Sequence, residues 1–304
     1  MIFKGKKKSL LEPSSFRKIT VCALLGEIKQ MAVCDLSFPI LRPLKPASQL
    51  GFTTGLFVKL ANVIVTEKRA YAIFHNLILL HQFLDNVAAF DKCEQPIMLS
   101  QLYHAGLIDD QFSYFEKMHT NSKTQIKWNG LLSEESIPES IGTRQGGKSA
   151  AEEYKLYNNE MVRELELACP STDFMAGHPT SVVALADDLA PTVMDSSTRD
   201  VLHKMQLLLN IVESHGNQLH MEFGENKCKL LITARSKKLK EVENLLSEEP
   251  NLLTFYGKPV ALVEEPYIHI GVPQAPRQQS KAVSEYRIAK GQDMSYMLHH
   301  SPKN

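Results

Sequence analysis

Apolar positions recur at near-helical spacing over residues 56–84, where Leu60, Val63, Ala70, Ile73, Leu77 and Leu80 fall into line, and the pattern predicts one or two amphipathic helices. The segment ILLHQFLDNVAAF at 78–90 is apolar enough to end in a buried strand. A second helical stretch covers 97–107, followed by QFSYFEKMHTN at 112–121 and a turn-rich, strand-like region at 123–137. Helical spacing returns over 151–169, with Leu156, Met161, Leu165 and Leu167 among charges, and 180–193 reads as strand, turn, strand. The clearest helix lies at 201–219 and ends near Gly216. A strand at 227–233, a helix at 236–248 and the strand-like PYIHIGV at 266–272 complete the order. Residues 9–45 read as irregular, because Pro13, Pro39, Pro43 and Pro46 limit helix length. Helices mixed with antiparallel hairpins make this an α+β chain and argue against a doubly wound parallel sheet.

A length of 304 residues allows one sizeable core or two to three subdomains. With 43% apolar and 22% charged residues the composition is that of a globular protein. Lys and Arg together number 34, as do Asp and Glu, so the net charge is zero and composition lends no support to a polyphosphate ligand, although one basic face can coexist with acidic ones. Cys22, Cys34, Cys93, Cys169 and Cys228 form no C-x-x-C pair and no zinc spacing, which predicts reduced thiols inside the cell, in nucleus or cytoplasm. Lys4, Lys6, Lys7 and Lys8 have no apolar segment behind them, so no secretion signal is expected. They read first as a solvated terminus, with a nuclear address or a phosphate-contacting arm as alternatives. No apolar run reaches the roughly 18 residues of a membrane span.

Asp187 and Asp188 follow the apolar run Val182–Leu185, where a strand should reach its hairpin turn. Hard cations such as Mg²⁺ take oxygen ligands, commonly one or two carboxylates plus substrate phosphates. Taken alone, such a pair reads first as a turn or helix cap. Bridging two ions needs a third carboxylate, and Asp85 is the best candidate, at the end of an apolar strand where an unpaired charge is costly; helix capping is its alternative. Gly142-Thr143-Arg144-Gln145-Gly146-Gly147 opens the helix at 151–169, and glycines ahead of a helix let backbone N–H groups approach an anion while Arg144 adds a fork to phosphate. Lys227 stands where a lysine can protonate a pyrophosphate leaving group, or simply be solvated.

The order of these pieces resembles the palm motifs of reverse transcriptases from non-LTR retrotransposons, in their invertebrate form. LDNVAAFD is similar to the first palm motif, D-x-x-x-A-F-D; GTRQGG with YKLYNN at 154–159 to the second; ALADD to the Y-A-D-D box; FGENKCK to the lysine motif; and YIHIGV to the final hairpin. Upstream, EPSSFRKITVCALLGEIKQ at 12–30 resembles the fingers segment, and QLGFTTG at 49–55 resembles G-F-x-x-G. RIAKGQDMSYML at 287–298 is similar to the start of the thumb connection.

The resemblance implies a right-hand polymerase: fingers over 1–80, palm over 81–275 with a fingers insertion at about 97–140, and the start of a thumb connection over 276–304, most of the thumb being missing. It implies RNA-directed DNA polymerase activity, with an RNA template, a DNA primer and deoxynucleoside triphosphates as partners and no membrane. Asp85, Asp187 and Asp188 would hold two Mg²⁺ ions, with Lys227 as the motif lysine. Phe90 would lie under the nucleotide sugar as a steric gate, or pack in the core. Arg144, Gln145 and Gly146 would position template and nucleotide, Arg17 and Lys18 would reach the triphosphate, and Gly271 would let the last hairpin approach the primer. Several positions depart from the family pattern. Leu185 replaces an aromatic, Lys148, Glu152 and Glu153 stand where apolar residues are usual, and LFVK follows the fingers glycines. Acidic residues there should repel template phosphates unless Lys148 or Lys155 compensates, and Pro191 should shorten the second strand of the hairpin. These departures, with no endonuclease, RNase H or zinc-knuckle segment, suggest a fragment or degenerate copy. The alternative function is an inactive nucleic-acid-binding or interaction module on the same fold.

Overall fold

The computed structural model describes residues 24–53, 58–120, 122–128, 131–144, 146–168, 181–269 and 272–275, together with 2–3, 12, 16–17, 20–21 and 285. In chain order the elements are β1 (Ile2–Phe3), β2 (Phe16–Arg17), α1 (Leu24–Leu41), α2 (Val58–Phe74), β3 (Ile78–Asp85), α3 (Gln95–His104), α4 (Asp109–His119), β4 (Ser122–Thr124), β5 (Lys127–Trp128), β6 (Leu131–Leu132), β7 (Ile137–Glu139) and α5 (Ala150–Ala168). They continue with β8 (Val182–Leu185), β9 (Asp188–Asp195), α6 (Thr198–Gln218), β10 (Lys229–Thr233), α7 (Ser236–Glu248), β11 (Thr254–Phe255), β12 (Lys258–Pro259), β13 (Tyr267–His269) and β14 (Val272–Gln274). Helices and wholly antiparallel strand pairs are thus mixed, an α+β arrangement. Among the described residues no helix is long and apolar enough to cross a membrane.

Two compact units interleave along the chain. The first comprises residues 1–46, 86–163 and 214–222. Its core gathers Cys34, Phe38, Met98, Leu102, Phe115, Tyr154 and Tyr157, all nearly inaccessible. The expectation of irregular chain over 9–45 does not hold for α1, which runs for 18 residues with Pro39 inside it. Pro39 stands in the last turn, where the loss of its N–H removes a single helical bond. Gln30, Cys34, Ser37, Phe38 and Leu41 recur on one face and are buried, and that burial outweighs the proline.

The second unit comprises 47–85, 164–213 and 223–304. Its centre is a four-stranded antiparallel sheet in the order β10-β3-β9-β8. The central strand β3 is buried along its whole length up to Asp85, so it carries apolar residues on both faces, as the run ILLHQFL requires. Leu50, Ala61, Phe83, Val183, Ala190, Leu231 and Val263 form one core cluster against this sheet. α6 adds a buried stripe of Val201, Leu202, Met205, Leu208, Leu209 and Val212, spaced as one helical face.

Pro191 does not shorten its strand. β9 continues for eight residues and is buried at Pro191. It pairs with β3 at His81–Thr192 and Leu84–Leu189 in one register, and the ladder is interrupted at Gln82 and Phe83, opposite Pro191 and Ala190. A proline has no N–H to give the ladder, so pairing lapses locally while packing on both sides keeps the register.

Candidate active site

The sheet delivers three carboxylates to one end of the second unit. Asp85 is the last residue of β3 and pairs directly with Asp188, the first residue of β9. Antiparallel partners lie about 4.5–5.5 Å apart at Cα with side chains on one face. Asp188 also pairs with Leu185 of β8, so β8 and β9 form a tight hairpin whose two turn residues are Ala186 and Asp187. Ala186 takes a left-handed backbone (φ 61°), which reverses the chain in two residues and sets the adjacent aspartates at the turn. Residues roughly a hundred positions apart therefore meet because β9 lies between β3 and β8.

Lys227 joins them by a separate route. The amide of Gly224 donates to the Asp85 carbonyl at 3.1 Å, and a short 3₁₀ turn over Glu225–Lys227 folds back from there. The Lys227 ammonium thereby reaches Asp85 Oδ2 at 2.8 Å. Tyr267, which the sequence reading passed over, stacks on Phe83 with centroids 5.5 Å apart and donates its hydroxyl to the Lys227 carbonyl at 2.6 Å. Its place as first residue of YIHIGV was the available signal.

The carboxylates of this cluster act on one another. Burial, then Asp187 and Asp85, push the Asp188 carboxyl up from 3.8 to about 7, against a smaller opposing pull from Lys227. The Tyr267 phenol is pushed up by burial and then by Asp85 and Asp188, and the Cys228 thiol is pushed up chiefly by burial. Mutual repulsion that raises a carboxyl in this way is relieved by a bound cation.

No protein-family model matches the chain. Among solved structures it is similar to apo telomerase from Candida tropicalis truncated from its C-terminal domain, at 14% identity over 67% of this chain and 40% of that one, with a TM-score of 0.45. It is similar to apo telomerase from the same yeast at 11% identity, over 69% and 37% of the two chains, with a TM-score of 0.44. Telomerase from Candida albicans in complex with a fragment of telomeric RNA matches at 12% identity, over 70% and 34%, with a TM-score of 0.34. The chain spans two fifths or less of the length of these telomerases.

The other candidate residues divide between the first unit and undescribed positions. Phe90 lies in a short 3₁₀ turn and packs its ring on Tyr154 at 4.6 Å, while its carbonyl accepts from the Thr143 amide at 2.7 Å. Gly142 needs its glycine: φ is +87° and a Cβ there would stand 2.8 Å from the Asp91 carbonyl oxygen. Arg144 donates to the Met118 carbonyl at 2.8 Å and lines an open groove of 550 Å³ with Lys29, Tyr114 and Lys117. Gly146 is exposed at φ 98° in the turn before α5. Lys18, Gln145 and Gly271 lie outside the described residues, as does the side chain of Arg17.

The charged residues over 148–155 have different fates. Lys148 pairs with Asp35 at 2.6 Å, and Lys155 pairs with Glu152 at 2.8 Å. Glu153 is 1% exposed, and neither of its carboxylate oxygens has a hydrogen-bond partner. His119 Nε2 stands 3.3 Å from its Oε2, equally buried.

Does the carboxylate set fit the divalent ions that the motifs imply? The donors are oxygens, and Asp188 resists ionisation because it is buried and then because Asp187 and Asp85 stand beside it. These properties suit Mg²⁺. Among the described residues, however, no three Asp, Glu, His or Cys side chains already form a metal cage. Mg²⁺ sites take one or two carboxylates and complete their shell from water and substrate phosphates, so a preformed cage is not required.

Proposed function

We propose that this chain is the fingers-and-palm part of an RNA-directed DNA polymerase, which joins a nucleotide to a primer 3′-hydroxyl at the Asp85, Asp187 and Asp188 cluster. The observation that carries the reading is the direct pairing of Asp85 with Asp188 beside the Ala186–Asp187 turn. Together with the order of motifs along the chain, it supports membership of the retroelement group. Asp85, Asp187 and Asp188 would hold two Mg²⁺ ions, which when bound supply Lewis-acid stabilisation of both the attacking and the leaving oxygen. The chain's own contribution is to position the donors on rigid strands and to offer Lys227 as a proton source near Asp85. Asp188 must lose its proton before it can bind a cation well. A net charge of zero gives little general attraction for a template, so products should be short.

Primer extension on an RNA template tests this. Product is expected to require Mg²⁺. At limiting Mg²⁺ the rate should climb as pH rises towards the Asp188 value of about 7 and level off above it, because protons and cation compete for one carboxylate. Extension that is unchanged by chelator, or that falls over that pH range, contradicts the proposal. One observation favours the second reading, a non-catalytic nucleic-acid-binding module: Lys227 already neutralises Asp85 at 2.8 Å. In that case nucleic acid binds without Mg²⁺ and survives the loss of Asp187.

A further inference from the structure

The turn that carries Asp187 and Asp188 is gripped from outside the hairpin. Residues 48–50 run alongside β8 as a parallel bridge between Gln49 and Ala184. The Ala184 amide donates to the Ser48 carbonyl at 3.0 Å, and the Leu50 amide donates to the Ala184 carbonyl at 2.7 Å. This bridge seats the Gln49 side chain, which is fully buried, against the turn. Gln49 Oε1 accepts from the Ala186 amide at 2.9 Å and from the Gly51 amide at 3.1 Å, while its Nε2 donates to the Ala186 carbonyl at 3.5 Å. One amide side chain thus holds both the N–H and the C=O of the residue immediately before the aspartate pair.

Gly51 makes the grip close. A Cβ at this position would stand 2.3 Å from the Ala186 nitrogen and 2.9 Å from the Leu185 carbonyl carbon, both backbone atoms that cannot move aside cheaply. Ala186 is the residue that takes the left-handed backbone, the least favourable conformation in the hairpin for a side chain with a Cβ. A buried glutamine is a demanding way to fill space, since each polar atom needs a partner in a dry interior. Here the partners are the backbone groups of that strained residue.

We propose that Gln49, seated by Gly51, is a positioning residue that fixes the Ala186 turn and thereby the directions of Asp187 and Asp188. The claim rests on the proposed cation-binding role of those aspartates and adds a residue to it from a segment that carries no charge. Groups that orient metal ligands from behind typically change metal affinity by about 10–100-fold when removed. Loss of the two hydrogen bonds accepted by Oε1 should therefore weaken cation binding without unfolding the sheet.

The test is Mn²⁺ titration of the full chain, with free Mn²⁺ read by electron paramagnetic resonance, for wild type, Gln49→Met, Gln49→Glu and Asp187→Asn. Gln49→Met keeps the length and loses the amide, and should bind Mn²⁺ about tenfold more weakly. Gln49→Glu, held as the neutral acid by its burial, keeps an oxygen to accept from both amides and an O–H to donate to the Ala186 carbonyl, and should bind about as well as wild type. A purely structural role would lower thermal stability in both variants without this split in affinity. Wild-type affinity in Gln49→Met, with affinity lost in Asp187→Asn, overturns the positioning claim and leaves the cation reading standing. Wild-type affinity in Asp187→Asn overturns the cation reading, and the positioning claim with it. If Gln49→Met fails to fold, Gly51→Ala takes its place: it retains Gln49 but displaces the Ala186 amide, and wild-type affinity there is equally fatal.

Discussion

Asp187→Ala is expected to abolish primer extension by roughly a thousandfold or more, while the protein stays folded. Divalent ions in nucleotidyl transfer are worth several kcal/mol of transition-state stabilisation, and about 4 kcal/mol corresponds to a factor near 10³. Asp187 is half-buried in the hairpin turn and is one of the charges that push Asp188 up, so its removal relieves repulsion at the site. The thermal midpoint should therefore stay level or rise slightly as activity disappears. Steady-state extension and differential scanning calorimetry on the same preparation separate the two effects. Equal product from variant and wild type contradicts catalysis at this turn, whereas a collapsed midpoint would trace the loss of activity to misfolding.

Replacing the buried pair as a whole, Glu153→Leu together with His119→Leu, should stabilise the chain. Both carboxylate oxygens of Glu153 lack hydrogen bonds at 1% exposure, and His119 Nε2 stands 3.3 Å away, equally buried. Replacement of a whole buried ionisable pair by apolar side chains of similar volume is often neutral or stabilising by about 1–4 kcal/mol, whereas removing one partner alone leaves the other buried without compensation. Applied to a chain of this size, that range is a rise of roughly 2–6 °C in the unfolding midpoint. A second readout follows from the same contact. The buried Cys34 thiol is pushed up to about 12 by burial first and by Glu153 next, so the substitution should make Cys34 easier to ionise. Thermal melts and the pH dependence of thiol alkylation in partly opened protein would check both. A midpoint that falls shows that the His119–Glu153 contact is a net gain for the fold.

The sheet and most helices were legible because their patterns are strong. α7 was expected at 236–248 and occupies Ser236–Glu248. The strand-turn-strand at 180–193 is the β8–β9 hairpin, with Asp187 in the turn, and the buried run ending at Asp85 is β3. Apolar strands ending in carboxylates are visible from letters alone, since apolar runs end where solvent or ligand begins. The proline arguments misled. Pro39 sits within a helix and Pro191 within a central strand, and in both cases burial of neighbouring side chains outweighed one missing hydrogen bond. Local rules weigh one N–H at a time and have no measure of the packing that overrides it.

Long-range partnerships were invisible for a different reason. Nothing in QLGFTTG indicates that Gln49 holds a residue 137 positions away, because the contact depends on a parallel bridge formed only in the folded sheet. Lys227 reaching Asp85 likewise depends on the fold-back after Gly224. The burial of Glu153 went unforeseen too: the sequence placed it among repulsive charges near a template, whereas it lies in the dry interior of the first unit. Chemistry-bearing residues were easier to nominate than the side chains that hold them in place.

Iron-directed cleavage is the most direct test of the central claim. Fe²⁺ substituted for Mg²⁺, with ascorbate and peroxide, generates hydroxyl radicals that cut the backbone close to the bound ion. If Asp85, Asp187 and Asp188 share a cation, cuts should cluster near residue 85 and near residues 186–188 in the same molecule, and excess Mg²⁺ should suppress both together. Cuts at one of these places alone, or cuts elsewhere that Mg²⁺ leaves untouched, would contradict the account.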